Sequence, residues 1–305
     1  MKILINAFAV LFISVSAYAQ KYTIALNLTR GLIYTQSTSA NMKIAQEMKG
    51  QKVDIDMNVS GSMIYKVLNE SGGMYDLEVS YQRLALKMNL PTGTLEFSTE
   101  KTDDKDIMSG MLRKMKDRPF LVRMTKTGRI NEIRNIGKLF EGILDSVPKV
   151  SEVQKQQILA QLNQAYGENA FKGNLELLSA VFPESPVAVG DSWKVQTNLQ
   201  AGLTAKIDAT YKLADVTDSQ FVINGISVIA PMEVNSNTPG VNPVKVSVSG
   251  SMEAILKIDK RSGWISEGNI RQDIKGNTTL PKSEKVPEEV VVPMQITSEM
   301  IIRGN

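Results

Sequence analysis

The chain of 305 residues has no histidine and no cysteine. Histidine is the usual general base, the middle member of Ser-His-Asp triads and the commonest metal ligand. Losing it together with cysteine excludes thiol catalysis, ordinary zinc sites and most hydrolase mechanisms. Only carboxylate, lysine and serine chemistry remains. Strong charge is missing as well. Thirty-five basic residues face 32 acidic ones, a formal net charge of +3. The two signs alternate along the chain without clustering, which gives no reason to expect nucleic acid.

Long apolar runs are scarce too. The run that opens the chain, Ile3 to Val15, follows Lys2 and precedes Ala17-Tyr18-Ala19. This order of charge, apolar run and small residues reads as a secretory signal over residues 1–19, cleaved before Gln20. The run is too short for a comfortable transmembrane helix, so no span is expected in the mature chain. Without cysteine there is no disulfide and no lipid-modified N-terminal cysteine. A disulfide-free exported chain fits a gram-negative envelope better than a small secreted animal domain. The expected address is the periplasm, the outer membrane or the exterior.

What is present is mostly period-two patterning. Tyr22, Ile24, Leu26 and Leu28 alternate with polar residues, as do Val53, Ile55, Met57 and Val59 against Asp54, Asp56 and Asn58. One apolar face at this period marks half-buried antiparallel strands. Tyr75, Leu77, Val79 and Tyr81 continue it. Near Gln82-Arg83 the phase slips to Leu84, Leu86 and Met88, which predicts a β-bulge. Between Asp103 and Asp117 the period becomes helical, with Ile107, Met108, Met111, Leu112 and Met115 on one stripe after three acids. A hairpin turns at Lys126-Thr127-Gly128-Arg129. Three helices follow: one capped by Asn135, one opened by a Ser151/Gln154 capping box and ending at Gly167, and one from Asn169 to Val181. Phe182-Pro183-Glu184-Ser185-Pro186-Val187-Ala188-Val189-Gly190-Asp191-Ser192-Trp193 then stops helix and opens a second run of strands. The divisions are a signal at 1–19, a first β half with a short helix at 20–134, a helical insertion at 135–181 and a second β half at 182–305.

Two features recur on either side of the insertion. Tyr65-Lys66-Val67 precedes Tyr75 by ten residues, and Tyr211-Lys212-Leu213 precedes Phe221 by ten. Downstream, Met124 to Glu132 around Thr127-Gly128-Arg129-Ile130 resembles Ile258 to Glu267 around Ser262-Gly263-Trp264-Ile265, with one extra turn residue. The fold expected is mainly β with a helical insertion: a curved antiparallel sheet or half-barrel of two related halves, with helices covering one face. The strand meanders, the Thr-Gly-Arg-Ile hairpin and the Phe-Pro-x-x-Pro-Val-x-Val-Gly-Asp-Ser-Trp hinge resemble a family of uncharacterised exported proteins of gram-negative bacteria. That resemblance supplies no catalytic residues. In pattern alone, the architecture resembles the periplasmic lipoprotein-carrier half-barrels, whose concave apolar face receives acyl chains.

Constellations that suggest chemistry have plainer explanations. Ser98-Thr99-Glu100-Lys101 has an S-x-x-K spacing but lies in a charged stretch between a strand and a helix. Asp54 and Asp56 read as the solvated face of an amphipathic strand. Asp103, Asp104 and Asp106 lack the order of a calcium loop and suit a helix N-terminus. No catalytic residue, cofactor or metal is expected. The expected role is non-enzymatic, holding an apolar or lipid-like ligand, with lipid or lipoprotein as partner. Met57, Met63, Met108, Met111, Leu112 and Met115 are the candidate lining, because methionine adapts to varied apolar surfaces. The alternative is a structural or protein-interaction module of the envelope. An ordinary packed core would use the same methionines.

Overall fold

The computed structural model describes residues 20–48, 50–103, 106–144, 151–152, 155–156, 158–159, 167–201, 203–232, 245–282 and 288–305. The signal segment and most of the expected second helix lie outside them. So do most of the loops from Pro231 to Pro243 and from Pro281 to Pro287.

Twelve strands form one antiparallel sheet. The first half contributes β2 (Ile33–Met48), β3 (Gln51–Ser71), β4 (Met74–Leu90), β5 (Gly93–Ser98), β6 (Phe120–Thr125) and β7 (Ile130–Arg134). The second contributes β9 (Ser192–Ala201), β10 (Leu203–Val216), β11 (Gln220–Pro231), β12 (Lys245–Asp259), β13 (Ile265–Leu280) and β14 (Val290–Gly304). Their order is β7-β6-β4-β3-β2-β14-β13-β12-β11-β10-β9, with β5 also on β4. The C-terminal strand β14 joins the halves by pairing with β2, from Met294 opposite Gln46 to Gly304 opposite Gln36. Two short strands, β1 (Lys21–Tyr22) and β8 (Val187–Ala188), pair separately.

The expected relation between the halves extends to the main chain. Tyr34 lies opposite Tyr65, and Trp193 opposite Tyr211. Gly31 donates to the Val67 carbonyl at 2.8 Å, and Gly190 to that of Leu213 at 2.8 Å. The register slips just after each of those acceptors, between Val67 and Asn69 and between Leu213 and Asp215. The β6–β7 and β12–β13 hairpins each slip again beside their turns. The predicted bulge is also present. Ser62 pairs with Arg83 but Met63 with Tyr81, which leaves Gln82 as the extra residue.

The two related turns grip one segment. Residues 23–29 run between them and bury Ile24, Leu26 and Leu28. Leu26 donates to the Lys126 carbonyl at 2.8 Å, and Asn27 to that of Ser262 at 2.7 Å. The Tyr75 phenol accepts from Leu28 N–H at 3.1 Å and donates to the Leu26 carbonyl at 3.2 Å. This segment reads as a strand in sequence because it alternates. Its partners are turns and the Tyr75 and Tyr34 phenols, however, so only Lys21–Tyr22, just before it, form a ladder.

Helix α2 (Glu168–Ser179) fills the inside of the curl. Its Phe171 meets Phe120 and Tyr81 edge-on, at 5.7 and 6.4 Å between ring centres. Gly173 lies against the Asn198 carbonyl of β9, where a Cβ would come within 2.4 Å. Glu176 accepts from Ile130 N–H of β7 at 2.8 Å, and Arg129 donates to the Gln196 carbonyl of β9 at 2.5 Å. The first and last strands are thus tied across a helix. No ladder joins β7 to β9, and the sheet is not closed as a barrel. The helix expected after Asn135 is instead a 3₁₀ turn, Ile136–Phe140. Asn135 sits in the left-handed region at φ 65° and makes no side-chain cap bond, because N-capping needs an extended cap residue.

Candidate functional site

The sheet has an apolar inner face and a mostly polar outer one, on which Ile226, Val228, Ile255 and Ile301 are also exposed. Outward positions include Lys43, Asp54, Asp56, Lys87, Lys212, Glu253, Arg271, Asp273 and Glu299. A strand that faces lipid would carry an apolar band there. No helix among the described residues is long and apolar enough to cross a membrane.

Inside, the two ends differ. Around α2 the face is packed: Tyr65, Tyr75, Leu77, Phe120, Leu213, Ile223 and Ile258 are buried in one cluster. The void beside Tyr65, Trp264, Leu175 and Phe182 is about 20 Å³, room for roughly one water and not for an acyl chain. Away from α2, strands β2 to β5 continue the apolar face without full cover. Registers set Ile44 opposite Ile55, Met42 opposite Met57, Met57 opposite Met88 and Leu86 opposite Phe97, all half-buried. Val59 and Leu95 are 36% and 44% exposed. The related position in the second half is covered: Ala205, six residues before Tyr211 as Val59 is before Tyr65, is fully buried.

The lining residues read from sequence divide between these regions. Met57 lies in the uncovered part. Met63, two residues from Tyr65, packs against the core together with Met111 and Met115 of α1 (Ile107–Met115). Leu112 is half-buried and Met108 is 47% exposed. The stripe on α1 therefore does not converge on Met57 as one pocket. Sequence reasoning passed over Met42, Ile44, Leu86 and Met88 as site residues, although their alternation was legible. Register, which the alternation does not specify, is what sets them beside Met57. On the outer side, Asn41, Lys43, Asp56, Asn58, Lys87, Arg271 and Glu299 border an open groove of about 590 Å³.

The other constellations have structural partners. Ser98 Oγ accepts from Glu100 N–H at 3.0 Å, and Lys101 Nζ donates to the Glu96 carbonyl, so the two do not pair. Asp106 caps α1, accepting from Ser109 N–H at 2.9 Å and Ser109 Oγ at 2.7 Å. Those bonds hold its carboxyl below the usual range. Among the described residues, no group of three or more Asp or Glu could hold a metal ion.

Burial pushes the phenols of Tyr81 and Tyr211 up to about 12. A raised phenol favours the folded state fully below pH 10, the unfolded value, and that contribution is lost as pH rises toward 12. The urea midpoint is expected to stay flat from pH 6.5 to 9, where no side-chain type in this chain titrates, and to fall between 10 and 12. Tyr81→Phe should blunt that fall, which a urea series at each pH reads directly.

The described residues thus define a mainly β protein, one large antiparallel sheet with two short helices packed into it. The chain belongs to a family of unknown function (DUF6263), whose model matches residues 72–265 and so spans both related turns and the hinge. No curated protein matches it. Among solved structures it is similar to an outer membrane channel from Pseudomonas putida F1, at 8% identity over 92% of this chain and 97% of that one. The TM-score of 0.25 is too low for that likeness to support an argument about fold or role.

Proposed function

We propose that this is an exported, non-enzymatic protein of the cell envelope that binds an apolar or lipid-like ligand on the uncovered inner face of β2 to β5. One observation carries the reading: the apolar rows of Met42, Ile44, Ile55, Met57, Leu86 and Met88 continue past the packed end and stay half-exposed. Apolar area left open in this way favours burial by about 25 cal/mol per Å². An acyl chain on these rows would therefore gain several kcal/mol with no catalytic group. The signal-like residues 1–19 and the absence of cysteine support export to the periplasm or outer membrane. Lipid or lipoprotein is the partner this chemistry suits.

The test is native mass spectrometry of the mature protein purified from a bacterial envelope, with organic extraction of the same sample. A co-purifying lipid of defined mass is expected. Met88→Asp should reduce its occupancy at least tenfold, while the outward Lys87→Glu leaves it unchanged. A clean apo mass with nothing extracted would overturn the reading. The envelope interaction module gains support from outward Ile226, Val228, Ile255 and Ile301, all exposed. It would then be the better reading.

A further inference from the structure

We infer that Met42, Met57 and Met88 form a site for one soft monovalent cation, Cu(I) or its redox-stable analogue Ag(I), built from thioethers alone. The inference does not depend on an apolar ligand. Register sets Met42 of β2 directly opposite Met57 of β3, and Met57 opposite Met88 of β4. All three belong to one cross-strand row on the inner face, and all are half-buried, so solvent reaches them. Directly opposed Cβ atoms lie about 5 Å apart, which puts the two flanking Cβ atoms at about 10 Å with the third between them. Methionine has three rotatable bonds before its sulfur, so the flanking thioethers can lean toward the middle strand and share one ion.

The surroundings favour a soft cation over a hard one. Ser298 and Leu95 flank the three methionines in this row, and neither is charged at neutral pH. The nearest charged neighbours along these strands, Lys43, Asp56 and Lys87, alternate onto the opposite face. A hard cation would thus find no carboxylate in the row, whereas thioethers select Cu(I)-like ions. The chain also has no thiol or imidazole anywhere that could outcompete three sulfurs for such an ion. Met294 lies on the same face opposite Gln46, two rows away, and serves as a control.

The experiment titrates silver nitrate, in chloride-free buffer, into the mature protein and follows it by native mass spectrometry and calorimetry. One Ag(I) per chain is expected. Met57→Leu should weaken binding at least tenfold, and the triple Met→Leu variant should abolish it. Met294→Leu should leave it intact. Leucine keeps the volume and apolar character of methionine, so the urea midpoint should survive these changes. Loss of silver with the urea midpoint retained separates loss of the sulfur ligands from loss of the fold. Silver bound equally well by the triple variant, or none bound by the wild type at micromolar concentration, would overturn the inference.

Discussion

Gly263→Ala is expected to destabilise the protein by more than about 4 kcal/mol, among the largest effects of any single methyl group in this chain. Two penalties combine. Gly263 has φ +68°, a conformation that costs an ordinary L-residue about 1–2 kcal/mol. A Cβ there would also come within 2.0 Å of the Ala25 carbonyl oxygen, a backbone atom that cannot rotate away. Gly31→Ala separates the two, since Gly31 has φ +83° but nothing within 4 Å of its Cβ position. Urea unfolding followed by tryptophan fluorescence should show a small loss for Gly31→Ala and a large one, or no folded protein, for Gly263→Ala. Gly128 is the related residue of the other turn. Its Cβ would meet the Ser179 carbonyl at 1.8 Å, so Gly128→Ala should behave like Gly263→Ala. Equal small losses at all three sites would mean that the turns do not press on the segments they face.

Trp264→Ala comes next, at about 3–5 kcal/mol. The indole is buried against Tyr34 and Tyr65, with ring centres 5.4 and 5.0 Å away, and its Nε1 donates to the Thr35 carbonyl at 2.8 Å. It therefore ties the second half's turn to two strands of the first. Trp264→Phe keeps most of the ring area and leaves Thr35 its second donor, Asn305 N–H, so a loss of only about 1–2 kcal/mol is expected. Thermal or urea unfolding of both variants measures the difference. A loss below about 1 kcal/mol for Trp264→Ala would show that the halves do not depend on this contact.

The sequence made the strands legible because a half-buried strand must alternate, and the Gln82 bulge because an extra residue must shift that alternation. The duplication was visible at Tyr65 and Tyr211 and at the two glycine turns, where sterics restrict the choice of residue. Three things were not legible. Helix propensity around Asn135 could not tell an α-helix from a 3₁₀ turn, since local preference decides little in so short a piece. The segment from Ile24 to Leu28 alternates like a strand, yet the turns it bonds to lie about 100 and 235 residues further on. The candidate lining combined Met57 and Met63 of β3 with Met108, Met111, Leu112 and Met115 of α1, while the half-exposed apolar rows lie on β2 to β5. Which half of a duplicated sheet stays uncovered depends on what packs over it, and alternation is the same in both.

The join made by β14 has a consequence for how the molecule comes to be folded. Each half is a meander of near neighbours in the chain, but the contact that makes them one sheet links residues 36–46 to residues 294–304. Such distant pairing closes late, because the entropy of the large loop must be overcome before any bond rewards it. Until the last fifteen or so residues are available, β2 and β13 both present bare edges, the feature most prone to pair with other chains. A polypeptide whose two halves cannot unite before β14 is made keeps those edges open for longer than one that folds domain by domain. That delay makes the pairing of β14 with β2 the step at which both edges are finally covered.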